Sequence, residues 1–293
     1  MQITAAGAAP SATHAAVAAA FDAVAQVHGL MSFHAPDSDI GRLNREASVR
    51  AVGVHAWTFA VLEAALDFHR RSTGAFDIAV APILQNLCLL PQHAGLFPRP
   101  QAGRSLGADR FPTAAEVELL PEHRVRFHHP DVRIDLGGIA KGFAVDRAID
   151  VLRHHEMPGG VVNAGGDLAA FGSGSEPVCL RDPRDPRRLI CRIEIDNEAL
   201  ASSAHFFDPL TSGRAAGTAI IDPCIRQPVE TFIGATVRAP SCMVADALTK
   251  AVMIAGPSAA ALLQHYGAGA VVVSAEGDVQ MTPDLQSAVC LAA

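Results

Sequence analysis

Apolar residues recur at helical spacing over 13–30 (THAAVAAAFDAVAQVHGL), and Gly29 near the end of the run supplies a stop, so this stretch predicts a helix. The polar run that follows, with Pro36, Asp37 and Ser38, predicts a loop and then a short helix. A further helix is expected at about 56–72, closing on basic residues and then Thr73-Gly74. Residues 91–113, rich in Pro, Gly and Arg, read as a long surface loop. RVRFHHPDVRIDL at 124–136 predicts two short strands joined at His129-Pro130-Asp131. A helix over about 138–154 precedes a strand at 161–164, and 176–195 reads as strands flanking an Asp-Pro loop. Residues 243–255 predict an apolar helix, and 271–281 a strand pair turning at Glu276-Gly277-Asp278. Strands and helices mix without regular βαβ alternation and without a repeat, which predicts an α+β fold forming one unit over residues 1–293.

Length and charge narrow the function. A chain of 293 residues buries roughly 75% of its unfolded surface, enough for a sizeable core. Its 23 Lys and Arg stand against 30 Asp and Glu, a net charge of -7, so it lacks the positive field that holds nucleic-acid backbones. A small phosphorylated ligand remains open, because backbone amides and one cation suffice to hold it. No apolar stretch approaches the ~20 residues of a membrane span. The N-terminus carries no positively charged region before an apolar core, so no signal peptide is visible. The expectation is a cytoplasmic chain as written, or a periplasmic one if the start is truncated. Six cysteines lie scattered without CxxC or zinc spacing and are expected to be buried free thiols.

Four segments carry chemistry. Asp135-Leu136-Gly137-Gly138-Ile139-Ala140-Lys141-Gly142-Phe143-Ala144-Val145-Asp146 places an acid, two glycines and a helix start in succession. Amides at that start, with Lys141 one turn in, would attract a phosphate; an ordinary strand-to-helix turn with a solvated lysine fits equally. Asn163-Ala164-Gly165-Gly166-Asp167 suits either backbone contact with a ligand or a β-turn. Thr73-Gly74-Ala75-Phe76-Asp77 offers a ring and a carboxylate, although Phe76 suits the core as well. In Ala245-Asp246-Ala247-Leu248-Thr249-Lys250, an acid interrupts an apolar helix and needs a partner. Asp246 reads either as an oxygen ligand for Mg²⁺ or as half of an i,i+4 ion pair with Lys250.

Together these segments resemble the ApbE family of flavin transferases, and with Met31-Ser32, Ser38, Arg42-Leu43-Asn44 and Ala239-Pro240 the resemblance covers nearly the whole chain. It implies an ApbE-like, T-fold-like architecture of largely antiparallel sheets with packed helices. It also implies splitting of FAD with Mg²⁺ and transfer of FMN through a phosphoester to a Thr or Ser of an acceptor protein, with release of AMP. The acceptor would be a subunit of a respiratory or redox complex. By position, Met31, Ala75, Phe76 and Asp77 would line the flavin nucleotide site, Asp135 and Lys141 would contact FAD, and Asn163, Gly165, Gly166 and Asp167 would lie close by. The Gly138 carbonyl and the Asp246 carboxylate would hold the metal, with Asp246 and Lys141 in catalysis.

The chain departs from the family's pattern in three places. A threonine four residues after the aspartate is a further metal ligand in many relatives; here Lys250 stands there and the threonine has moved to Thr249, so either Thr249 reaches the ion and the nucleotide, or Lys250 replaces part of the metal's charge on the diphosphate. Ala219 replaces a histidine that activates the acceptor hydroxyl, leaving His205 as the substitute base and Ile220 as the apolar flavin contact. The N-terminal strand reads as missing or shortened. These departures keep two alternatives in view, a FAD-binding protein without transfer and a FAD pyrophosphatase giving FMN and AMP.

Overall fold

Strand β1 (Gln2–Ala6) and helix α1 (Pro10–Met31) open the chain in the computed structural model, which describes residues 1–7, 9–91, 112–205, 220–286 and 289–291. Then come α2 (Asp39–Glu46), β2 (Val52–Gly53), α3 (Ala56–Arg71), α4 (Ala81–Asn86) and the hairpin β3 (Val117–Leu120) and β4 (Arg124–Phe127). Helix α5 (Ala140–His154) leads into the hairpin β5 (Gly159–Ala164) and β6 (Asp167–Phe171). The hairpin β7 (Glu176–Asp182) and β8 (Asp185–Ile195), β9 (Ala199–Ala204), and the short pair β10 (Ile221–Asp222) and β11 (Gln227–Pro228) follow. The chain finishes with β12 (Phe232–Ala239), α6 (Cys242–Ala255), α7 (Ala260–His265), β13 (Gly269–Ser274), β14 (Val279–Met281), α8 (Pro283–Gln286) and β15 (Val289–Leu291).

The central layer is an antiparallel seven-stranded sheet in the order β1-β5-β6-β9-β12-β13-β14. Strand alternation sends its side chains into two different cores. Ala169 packs with Ala16 and Ala20 of α1 and Ala148 and Leu152 of α5. Its neighbours Leu168 and Ala170 pack the other way, against Cys191, Ile193 and Ile195 of β8. The alanines make this layering possible: α1 buries the stripe Ala16, Ala20, Ala23, Val27 and Met31, whose small members let α5 lie close. A third and larger core joins α2, α3 and α6 to the sheet. The helical stretch Cys242–His265 is long and apolar enough to cross a membrane, yet 61% of its most apolar 18-residue window is buried inside the fold and a 3-10 turn at Gly256–Ala259 interrupts it.

The helices and the hairpins at 176–195 and 271–281 lie where periodicity places them. Three expectations need correction. An N-terminal strand is present: β1 pairs with β5 from Gln2–Asn163 to Ala6–Gly159, at the edge where apolar alternation is weak and sequence alone shows little. The segment 124–136 holds one strand instead of two. After β4 the chain runs without a ladder through Val132, Arg133 and Ile134, and its partner strand is β3, which the sequence reading leaves out. The physical reason lies 90 residues away. Asn44 donates from Nδ2 to the Ile134 carbonyl at 2.8 Å and accepts from the Ile134 amide at 2.7 Å, taking the bonds a strand would have made. Finally, of the cysteines whose side chains are described, Cys88, Cys179, Cys191, Cys224 and Cys242 are free, but only Cys191 and Cys242 are buried; Cys88, Cys179 and Cys224 are exposed. The loop expected at 91–113 falls almost wholly outside the described residues.

Candidate active site

The segment entering α5 is held from several sides. The Asp135 amide donates to the Ile78 carbonyl at 2.8 Å, and the Asp135 carboxylate accepts from the Gly137 amide at 3.1 Å. The amides of Ile139 and Ala140 both return to the Leu136 carbonyl, at 3.0 and 2.8 Å, which closes the turn before the helix. The residue before α5, Ile139, supplies no side-chain cap. Burial pushes the Asp135 carboxyl above the ordinary carboxylate value, against the Gly137 amide and the nearby His34.

Two lysines and two aspartates meet just inside this turn. Lys141, on the first turn of α5, pairs through Nζ with Oδ2 of Asp167 and lies 3.6 Å from Oδ1 of Asp246. Lys250, one turn along α6 from Asp246, pairs with the same Oδ1 and donates to the Asp246 carbonyl at 3.1 Å. The other carboxylate oxygen of Asp246 accepts from the Gly142 amide at 3.0 Å. Both acids are buried, Asp167 directly after the β5–β6 turn and Asp246 on α6, whereas half of the Lys141 side chain faces solvent. Burial alone would raise Asp246, but the ammonium groups of Lys250 and Lys141 outweigh it and hold the carboxyl below its usual range. Asp167 goes the other way: burial and the neighbouring Asp246 charge push it up more than Lys141 pulls it down. Lys141 itself is raised, because the attraction of Asp246 and Asp167 exceeds its desolvation.

The β5–β6 turn completes the wall. Gly165 and Gly166 form a two-residue loop with φ of 73° and 103°, the left-handed pair that a tight hairpin requires, and Asn163 Oδ1 braces the Gly166 amide at 3.0 Å. A Cβ on either glycine would meet nothing within 4 Å. The turn reading of this motif is therefore correct, and its outer face is also open to a ligand. Gly138 lies beside Phe76 and the Lys250 stem: a Cβ there would come within 3.6 Å of the ring and 3.5 Å of Lys250 Cε. The neighbouring Thr73-to-Asp77 segment borders an open cleft of about 540 Å³, lined also by His69, Thr113 and the β10–β11 turn at Pro223 and Cys224. That volume is in the range of a ligand site.

The structure thus brings Asp246, Lys141, Asp167, Gly138 and Phe76 together around one cradle, with Asn163, Gly165 and Gly166 on its hairpin. Other residues singled out from the sequence hold the frame. Met31 is buried in the core at the end of α1, and Phe76 stacks at a tilt on Phe68 with centroids 5.7 Å apart. Asp77 accepts from the amides of Ala79 and Ala114 at 2.7 and 3.0 Å and faces His69 at 3.3 Å, which fixes the turn that carries Ala75 and Phe76. Ile220 packs on the main core, and Ala219 lies outside the described residues. His205 follows β9 at the border of the described residues.

Thr249 does not reach the cradle as a metal ligand would. It is fully buried, donates to the Asp246 carbonyl at 2.7 Å and bonds the Ser203 hydroxyl at 2.9 Å. Mg²⁺ takes oxygen ligands and needs several of them. Here one oxygen of Asp246 faces ammonium groups, the other an amide, and the Thr249 hydroxyl is committed to β9. Among the described residues no three His, Cys, Asp or Glu side chains form a metal-holding group. The residues present do not fit a resident Mg²⁺.

Sequence reasoning gave Asp146 no role. Its two oxygens accept from the amides of Cys242 and Met243 at 2.7 and 2.9 Å, so it caps α6 from α5 and sets where Asp246 stands. The acid closing the 135–146 segment was the available signal, but its partner lies 96 residues on.

Comparison with known proteins agrees with the architecture. The ApbE family profile matches residues 1–274. FAD:protein FMN transferase of Vibrio cholerae is 26% identical over 238 residues, 79% of this chain and 70% of the relative. The protein of the same name from Treponema pallidum is 28% identical over 276 residues, 86% of this chain and 75% of the relative. Among solved structures, the ApbE protein of Thermotoga maritima superposes with a TM-score of 0.84 at 24% identity, over 98% of this chain and 94% of the other. The apo flavinyl transferase ApbE of Pseudomonas stutzeri gives 0.77 at 24% identity, over 97% and 90%. With an α+β fold like theirs and the family pattern running through 274 of its residues, this chain belongs to the ApbE family.

Proposed function

We propose that this chain is a FAD:protein FMN transferase. The observation that carries the reading is the convergence of Lys141, the open Gly165-Gly166 turn and the Gly138–Phe76 wall on the buried Asp167 and Asp246. A diphosphate joined to a flavin needs cations and amides for its oxygens and an apolar surface for its ring, and this cradle supplies both kinds of group. The cleft bordered by Asp77 offers further room for a ligand.

In the reaction, the acceptor's Thr or Ser oxygen attacks the phosphorus on the FMN side of the FAD diphosphate. The bond from that phosphorus to the bridging oxygen breaks, and AMP departs with the bridging oxygen. The hydroxyl proton passes to a base or to water. Lys141, half exposed and already held beside two carboxylates, is placed to neutralise charge on the diphosphate oxygens as the bridge opens. Asp246 orients both lysines instead of reacting itself. The Mg²⁺ that the resemblance implies has no fitting ligand set here, so no step is assigned to it.

The acceptor is a protein hydroxyl on a partner, and by the family reading that partner is a subunit of a redox complex. Incubating the chain with FAD and a candidate acceptor tests the whole reading. A fluorescent acceptor band with stoichiometric AMP is the expected result. Free FMN appearing without acceptor identifies a pyrophosphatase instead, and retention of intact FAD with no AMP identifies a binding protein.

A further inference from the structure

The Asp246 carboxylate already has a cation, and that cation belongs to the chain. Lys250 packs its stem against Gly138 and holds its ammonium on Oδ1 and on the carbonyl of Asp246. Its side chain is only 17% exposed, so this ammonium is a fixed part of the cradle and not a solvated surface charge. The charges balance internally: Asp167 and Asp246 face Lys141 and Lys250. A neutral residue at 250 would leave the acids in excess by one, and a diphosphate would then meet net negative charge unless a cation entered from solution. A divalent ion and the Lys250 ammonium are therefore alternative answers to the same electrostatic problem, and they exclude each other. Both need Oδ1 of Asp246, and two cations within a few ångströms repel strongly away from bulk water.

We propose that Lys250 takes the place of the divalent cation at this site, so that this chain binds FAD without added metal. The inference rests on FAD being the ligand of the cradle. It also explains the commitment of Thr249 to Ser203: with an ammonium on the carboxylate, no hydroxyl ligand is required there.

The test is a titration of the purified full chain with FAD, followed by quenching of flavin fluorescence, in EDTA and again in excess MgCl₂. The dissociation constant of the natural chain is expected to differ by less than about twofold between the two buffers. K250T should bind at least about tenfold more weakly in EDTA and recover in MgCl₂, a difference of about 1.4 kcal/mol. K250R, which keeps a cation, should stay insensitive to metal. Mn²⁺ alone, followed by its paramagnetic resonance signal, should remain free beside the natural chain and become bound by K250T. Binding by the natural chain that is lost in EDTA and restored by Mg²⁺, or stoichiometric Mn²⁺ binding to it, would overturn the proposal while leaving the flavin reading intact. Absence of FAD binding in both buffers would overturn the flavin reading and the proposal together. The two buffers applied to the natural chain decide the matter even if K250T does not fold.

Discussion

The Gly142 amide donates to Oδ2 of Asp246 at 3.0 Å, joining the first turn of α5 to α6 across 104 residues of sequence. The contact is so close that a Cβ on Gly142 would lie 2.2 Å from the Cys242 carbonyl oxygen and 2.8 Å from Met243 Cα. The last glycine of the 135–142 segment therefore serves the packing of two helices, which places the Asp246 carboxylate within reach of Lys141.

G142A is expected to push these helices apart. The neighbours are backbone atoms that cannot rotate away, so overpacking should cost about 1–3 kcal/mol or more. Lower thermal stability together with weaker FAD binding is the expected result, since Asp246 loses its amide donor. A variant with unchanged melting temperature would show that the two helices do not meet so closely.

Lys141 should act mainly on the ligand. Its ammonium is half exposed, and a charge-assisted hydrogen bond is worth about 1.5–3 kcal/mol, so K141Q should weaken FAD binding by roughly 10- to 100-fold. Far-UV circular dichroism should stay the same. An unaltered affinity in a fluorescence titration would remove this lysine from the diphosphate.

Asp246 should be costly to neutralise alone. D246N leaves two ammonium groups beside a fully buried amide, and breaking a buried pair from one side typically costs about 3–5 kcal/mol. Adding K250M removes one of the stranded charges, and the double variant should recover part of the lost stability in chemical denaturation. Strictly additive losses would mean that the two residues do not interact.

Asp146 introduces a pH dependence. Burial pushes its carboxyl up to about 6 in spite of the Met243 and Cys242 amides that favour the charged form. An acid raised above its unfolded value of 3.8 holds its proton longer in the folded chain. Its contribution to stability is thus present below that value and is lost as pH rises toward about 6. Comparing urea denaturation at mildly acidic and neutral pH, the natural chain should lose more stability across this window than D146N. Equal slopes would place the Asp146 titration outside it.

Much of the molecule is visible in the chain itself. Helical spacing marks α1, α3, α5 and α6, because a one-sided apolar stripe is a local property. Gly165-Gly166 signals its hairpin for the same reason: two successive left-handed residues are cheap only for glycine. The glycine- and lysine-bearing motifs suggest a phosphate site by residue type, but taken singly they suit an ordinary turn as well.

What those motifs do was decided by contacts between distant segments. The order of residues leaves Asp246 equally ready to ligate a metal or to pair with Lys250, and an i,i+4 interval cannot choose between them. The fold chooses, by bringing Lys141 and the Gly142 amide from α5 onto one carboxylate and turning Thr249 toward β9. The loss of a second strand after β4 has the same kind of origin, since the polar atoms of Asn44 replace a ladder that local sequence would have formed. Secondary structure follows from neighbours along the chain, whereas the partner of a buried charge is settled by whatever the packing of the whole core leaves within hydrogen-bond reach.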